Sequence, residues 1–245
     1  MDTAADILNS QLNSQIGRLN ISQSLHLLLE RFPGQVCFST SFSMEDQVIL
    51  HHLAEENLDV TIFTLDTGRN FPETYSVWNS SLEKYHLPIK AYTPESLSLQ
   101  KYINQKGPNA FYESVENRKE CCYIRKLEPL KRAIAGQKIW ITGIRAEHSG
   151  NRSQLHLLEW DDSNQIHKYN PLLHWTQDAV QSYISRHNIP YNILHDRGFV
   201  SIGCQPCTRA IRVGEDFRAG RWWWEDADKK ECGLHAVETN KNLKT

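Results

Sequence analysis

The side chains best suited to chemistry in this chain are its six cysteines: Cys37, Cys121, Cys122, Cys204, Cys207 and Cys232. They differ by neighbourhood. Cys37 lies in the apolar run Val36-Cys37-Phe38 and reads as an inert strand thiol. Cys121 and Cys122 form a vicinal pair, and Cys204-Gln205-Pro206-Cys207 is a C-x-x-C. Together they supply four thiols, enough for one tetrahedral zinc ion or one iron–sulfur cluster, and the spacing leaves both open. Adjacent residues on regular structure point apart, so two neighbouring ligands require a particular local backbone. Cys232 stands alone, thirteen residues from the C-terminus. It is either a spare surface thiol or a nucleophile, and a nucleophile needs nearby cations to lower its pKa from about 8.5.

Cations are present at the right places. Arg125 and Lys126 follow the vicinal pair, Arg145 and Arg152 follow a strand, and Arg218 and Arg221 precede three tryptophans. Each alone reads as a solvated surface charge. As a set they suit a phosphate or sulfate, whose oxygen pairs match the guanidinium fork. Trp222, Trp223 and Trp224 are consecutive and cannot all face one side, so at least one belongs to the core. His51 and His52 fall mid-helix and read as structural.

The elements that must position these groups follow from pattern. Leu25, Leu28 and Leu29 repeat at helical spacing in a lead-in over residues 1–32, closed by Phe32-Pro33-Gly34. Short apolar runs at 36–39, 60–65, 88–92 and 138–143 read as strands. A helix over about 45–56 and another opened by Pro72, with Tyr75, Trp78, Leu82 and Tyr85 on one face, lie between the first three. This β-α-β-α-β order implies an α/β fold with a parallel sheet. Residues 155–160 and 166–169 read as a hairpin, and a helix follows at about 177–187. The expected organisation is one α/β domain over 33–215 and a C-terminal tail over 216–245. Ligands of open parallel sheets bind at the carboxyl ends of strands, which here means the loops 39–46, 66–69 and 143–153. The first, rich in small residues before a helix, suits a phosphate cradle.

Composition narrows the class. The 245 residues carry 27 Lys plus Arg against 29 Asp plus Glu, a net charge of −2. That balance disfavours polyelectrolyte binding to nucleic acid. No apolar run approaches the length of a membrane span, and the N-terminal residues lack a signal-peptide pattern. The expectation is a cytoplasmic protein with no nucleic-acid and no membrane partner.

Taken in order, Ser-Thr-Ser-Phe-Ser-Met-Glu-Asp at 39–46, Leu-Asp-Thr-Gly-Arg at 65–69, Phe-Pro-Glu-Thr-Tyr at 71–75 and Cys-Cys-Tyr-Ile-Arg-Lys at 121–126 form one pattern. It continues with Gly-Ile-Arg at 143–145, Ser-Ile-Gly-Cys-Gln-Pro-Cys-Thr-Arg at 201–209, Gly-Arg-Trp-Trp-Trp-Glu at 220–225 and Glu-Cys-Gly-Leu-His at 231–235. This pattern resembles the assimilatory sulfonucleotide reductases, specifically the iron–sulfur adenosine 5′-phosphosulfate (APS) reductase branch. Many relatives carry Gly where this chain has Ser43.

The resemblance implies an adenine-nucleotide α-hydrolase-like sheet related to ATP pyrophosphatases. It implies a 4Fe-4S cluster on Cys121, Cys122, Cys204 and Cys207, and Cys232 as nucleophile with Lys126 assisting. It implies APS as substrate, held by Thr40, Ser41, Ser43, Leu65, Thr67, Arg69, Gly143, Arg145, Arg152, Arg218 and Arg221. The implied reaction yields sulfite and AMP through an S-sulfocysteine that a thioredoxin-like dithiol reductant resolves, and relatives suggest a homo-oligomer. Reductases of the 3′-phosphorylated substrate (PAPS) typically lack the four cluster cysteines. A PAPS or dual-specificity reductase is the alternative within the class, and an ATP-pyrophosphatase-type RNA thiolase the alternative outside it.

Overall fold

The computed structural model describes residues 11–148 and 156–225. Residues 11–16 are helical. Helix α1 (Ile21–Arg31) opens with a reciprocal capping box between Asn20 and Gln23 and buries Leu25 and Leu28. The expected alternation then follows: β1 (Val36–Ser39), α2 (Met44–Glu55), β2 (Thr61–Leu65), α3 (Pro72–Tyr85) and β3 (Lys90–Tyr92). After these come α4 (Ser96–Lys106), α5 (Val115–Cys122), a π-helical turn (Tyr123–Leu127), α6 (Glu128–Ala133) and β4 (Ile139–Ile141). The hairpin β5 (Leu158–Asp161) and β6 (Ile166–Tyr169) and helix α7 (Gln177–Arg186) complete the named elements.

The sheet order is β3-β2-β1-β4-β6-β5. All neighbours are parallel except β5 and β6, which pair antiparallel with Leu158 opposite Tyr169. The chain leaves β1 toward β2 on one side and reaches β4 on the other. The crevice at their carboxyl ends is therefore a topological switch point. β1 is central and buried on both faces: Phe38 is fully buried in one cluster with α1 and α2, Cys37 in another with α6 and Trp140. The Cys37 thiol donates to the Ile139 carbonyl (3.5 Å), and burial pushes it up to about 12, so it is inert as read. No described helix is long and apolar enough to cross a membrane.

The face of Tyr75, Trp78, Leu82 and Tyr85 on α3 is only partly covered: Tyr85 packs against the main core and Trp78 stacks on the buried Phe42. The buried residues are Thr74, Val77 and Ser81, while Tyr75 and Leu82 stay exposed. The reason is the close approach of α2, whose buried Gln47 donates to the Ser81 hydroxyl (2.8 Å) and the Pro190 carbonyl (2.7 Å). Small side chains suit that contact. The aromatics stack in series, Tyr75 on Trp78 and Trp78 on Phe42. Two helical segments, α4 and α5 with α6, had no clear apolar period in the sequence, because polar residues dominate their faces.

Because Phe38 is fully buried in the central strand, Phe38→Ala is expected to cost about 3–5 kcal/mol. Urea denaturation should give a lower midpoint with an unchanged slope, and an unchanged midpoint would contradict this packing.

Candidate active site

A cleft of ≈ 290 Å³ lies at the carboxyl ends of β1, β2 and β4, near the lower end of the range for small-molecule sites. Its floor is built by the loop after β1. Thr40 pairs back to Phe63 of β2 (2.8 Å). Phe42 takes a left-handed backbone (φ 61°), held by its N–H to the Thr40 hydroxyl (3.0 Å). Ser43 then caps α2 by accepting from the Asp46 N–H (3.2 Å). The α2 N-terminus thus opens into the cleft, a setting that favours anions.

Two carboxylates at that helix start would oppose an anion, and both are occupied. Glu45 is ion-paired with the buried Arg145 (2.8 Å). Asp46 accepts from the Ser41 N–H (2.6 Å) and hydroxyl (2.7 Å). Burial pushes the Asp46 carboxyl up to about 6, against the pull of the Ser41 bonds. Gly143 is needed for this packing: a Cβ there would collide with Asp46 Oδ1. The close approach expected at Gly143 is therefore to Asp46.

Beside the cleft lies a second cavity, lined by all four cysteines of the pair and the C-x-x-C. Arg69, Arg118, Arg125, Lys126 and Arg221 also line it. Cys121 and Cys122 end α5, and the chain continues as the π-helical turn. A π turn inserts an extra residue into the helical period and is found mostly at functional sites. Cys121 and Cys122 themselves lie in the last turn of the regular helix α5, and the irregular backbone begins one residue after them. Opposite, Cys204 and Cys207 flank a short 3₁₀ turn with Pro206 inside it. The Cys204 thiol donates to the Thr67 hydroxyl (3.3 Å), and Arg125 donates to the Thr67 carbonyl (2.5 Å).

The donor set suits a sulfur-rich anionic group. Burial raises the Cys121 thiol and pushes Cys207 up to about 12, with neighbouring cysteines adding to both. Ionising them needs positive charge inside the cavity. Three buried donors of the wall, Arg125 Nε, Arg221 Nε and Trp222 Nε1, have no acceptor, and the sulfurs of a bound cluster would supply acceptors. Among the described residues, no group of three or more His, Cys, Asp or Glu is close enough to hold a single metal ion. The four sulfurs share a cavity, not one mononuclear coordination sphere.

Of the residues expected to hold substrate, Thr40, Ser41, Ser43, Leu65, Thr67, Gly143, Arg218 and Arg221 line the cleft. Lys126, Cys204 and Arg221 line both cleft and cysteine cavity. Arg69 turns to the cysteine side, where it stacks on Phe111 and donates to the Pro108 carbonyl (2.6 Å) and Asn109 (3.0 Å). Arg145 does not line the cleft. It is fully buried behind it, bonded to Glu45, Glu147, Gln177 and the Trp175 carbonyl. Arg152 and Cys232 lie outside the described residues. Ser39 opens the expected loop 39–46, and lining residues outside the expected loops include Thr142, at a strand end where the switch-point rule would have found it, and Asn70 and His195. His195 precedes the C-x-x-C without any local pattern to mark it.

Comparison with known proteins gives one family. The model of the phosphoadenosine phosphosulfate reductase domain matches residues 35–210. Curated relatives named adenosine 5′-phosphosulfate reductase include that of Allochromatium vinosum, 49% identical over 83% of this chain and 79% of its own. Those of Neisseria meningitidis serogroup A (50%; 87% and 89%) and Burkholderia cepacia (45%; 96% and 93%) are also similar. Among solved structures, the phosphoadenylyl-sulfate reductase of Candida auris in its phosphate complex aligns with a TM-score of 0.72 at 27% identity, covering 85% of this chain and 98% of that one. Yeast FAD synthetase (TM-score 0.52, 19% identity, 86% and 70% covered) shares the fold.

The Asp46 environment generates a pH signature. Its folded pKa lies above the unfolded value of 3.8, so the folded state holds a proton that the unfolded chain has released between pH ~4 and ~6. Its contribution is full below that window and is lost as pH rises through it, by about 3 kcal/mol at most. Asp46→Asn should flatten this fall in a pH series of denaturant unfolding. A wild-type profile parallel to the variant's would contradict the assignment.

Proposed function

This chain belongs to the phosphoadenosine phosphosulfate reductase domain family, and from that premise we propose that it is an oxidoreductase reducing APS to sulfite and AMP for sulfate assimilation. The observation that carries the reading is the shared wall. Lys126, Cys204 and Arg221 line both a nucleotide-sized cleft and a cavity containing four cysteines. The relatives with 44–50% identity are named for APS, and the 27% identical structure for the 3′-phosphorylated substrate, which favours APS.

In this reading the cleft binds the AMP portion. Ser41, Ser43 and the α2 N-terminus face the phosphate, with Leu65 and Thr67 toward the nucleoside. Lys126, Arg218 and Arg221 hold the sulfate and phosphate oxygens. The same cations lower the pKa of Cys232 as it enters. Its thiolate attacks the sulfate sulfur, the bridging S–O bond breaks, and AMP leaves with that electron pair, leaving an S-sulfocysteine. A thioredoxin-like reductant then attacks Cys232 Sγ through one thiolate and sulfite departs. Its second thiol resolves the mixed disulfide, so both electrons come from the dithiol. In the sequence no second cysteine lies near Cys232, which suits resolution by a partner.

Cys121, Cys122, Cys204 and Cys207 would hold a 4Fe-4S cluster. When bound it supplies fixed charge beside the substrate anions and ties the π turn to the C-x-x-C segment. Thiol chemistry resolved by a dithiol reductant fits a reducing compartment, which we take to be the cytoplasm.

Steady-state reduction of APS with a thioredoxin tests the reading. Cys232→Ser should abolish sulfite release while AMP still binds. Lys126→Ala should lower kcat by about 10²-fold or more at unchanged iron content. A loss under about threefold would remove Lys126 from the chemistry. Equal or faster turnover of PAPS would replace APS as the substrate.

A further inference from the structure

Arg145 lies behind the cleft floor, and its partners there form a closed set. It follows β4, its side chain is 1% exposed, and each guanidinium nitrogen is engaged. Nε donates to Glu45 Oε1 (2.8 Å), Nη1 to Glu147 Oε2 (2.6 Å) and the Trp175 carbonyl (3.1 Å), and Nη2 to Gln177 Oε1. Gln177 opens α7. Its backbone N–H donates to Glu147 Oε2 (2.9 Å), and its side-chain amide reaches the Sδ of Met44, the first residue of α2 (3.7 Å). One buried side chain thus joins the starts of two helices to the end of β4.

The two helix starts carry partial positive charge and Arg145 a full one, against the carboxylates of Glu45 and Glu147. The two carboxylates differ in surroundings. Glu147 is 50% exposed, so solvent screens it. Glu45 is 8% exposed, sits in the first turn of α2 and lines the cleft. Its charge therefore acts at close range, with little screening, on any anion at that helix start. A guanidinium suits the position because its planar fork presents separate donors to each segment.

Resting on the reading that the cleft binds the AMP portion with its phosphate at the α2 N-terminus, we propose that Arg145 is a positioning residue for that phosphate. It does not touch the substrate. It holds Glu45 from behind and offsets its charge, which keeps the start of α2 attractive to an anion.

The test is the affinity of the full chain for AMP and for adenosine, its counterpart without the phosphate, by isothermal titration calorimetry at neutral pH. Arg145→Met should weaken AMP binding about tenfold or more, while adenosine binding stays within about threefold of wild type. Arg145→Met combined with Glu45→Gln leaves no uncompensated charge between them and should bring AMP affinity back to within about threefold of wild type. Glu45→Gln alone keeps Arg145 in place and should bind AMP at least as tightly as wild type. Wild-type AMP affinity in Arg145→Met, or no recovery in the folded double variant, would overturn the proposal. Equal losses for AMP and adenosine would also overturn it, as the mark of a merely structural residue. Where Arg145→Met does not fold, Glu45→Gln decides: a loss of AMP affinity of about tenfold there would make Glu45 a direct substrate contact and overturn the charge-holding role. Absence of AMP binding to the wild-type protein would instead overturn the reading of the cleft, and the role of Arg145 with it.

Discussion

Four thiols and five cationic side chains around one cavity impose the constraint on which the rest of the structure depends. Neutral thiols would leave the buried guanidinium groups short of negative charge, and thiolates alone would repel one another. In the proposed reading, a cluster held by all four sulfurs would occupy the space between them. Three local irregularities border the cavity: the π turn after Cys122, the 3₁₀ turn Gln205–Cys207, and the positive φ of Trp222. Each lies next to a cysteine or a donor of the cavity wall.

The cleft inherits its chemistry from this cavity. The sheet alone gives a generic crevice at its switch point, and its fold is shared with yeast FAD synthetase. In the proposed reading, what suits it to a sulfated nucleotide is the wall it shares with the cysteines. Lys126 arrives on the π turn, Arg221 reaches across the backbone of Gly203, and Thr67 touches Cys204. Of the carboxylates at the start of α2, Glu45 is ion-paired with Arg145 and Asp46 is held by the Ser41 N–H and hydroxyl. The helix end is left available to a phosphate.

The alternation of strands and helices was legible because β-branched runs and a proline helix start are local signals. So was the pairing of the vicinal cysteines with the C-x-x-C, since thiols are rare and their count fits one cluster. Other features depend on contacts between distant segments. Arg145 reads in sequence as a cleft arginine, yet its partners Glu45 and Gln177 lie far away along the chain and draw it behind the floor. Gly143 reads as room for a ligand, but the room is taken by Asp46. The aromatic residues of α3 have helical spacing, but the contact of Ser81 with Gln47, which places small residues against α2, has no local signature. The bond between Arg118 and Glu225 spans more than a hundred residues and has no sequence signature.

The central claim is that Cys121, Cys122, Cys204 and Cys207 hold one polynuclear iron–sulfur group against the substrate cleft. The most direct measurement is iron, zinc and acid-labile sulfide per chain on protein purified without oxygen. The account predicts about four irons and four sulfides, the content of one 4Fe-4S cluster, with negligible zinc. One zinc per chain with no sulfide would contradict it, and would leave Cys232 and the likeness to known reductases without the cavity that ties them together.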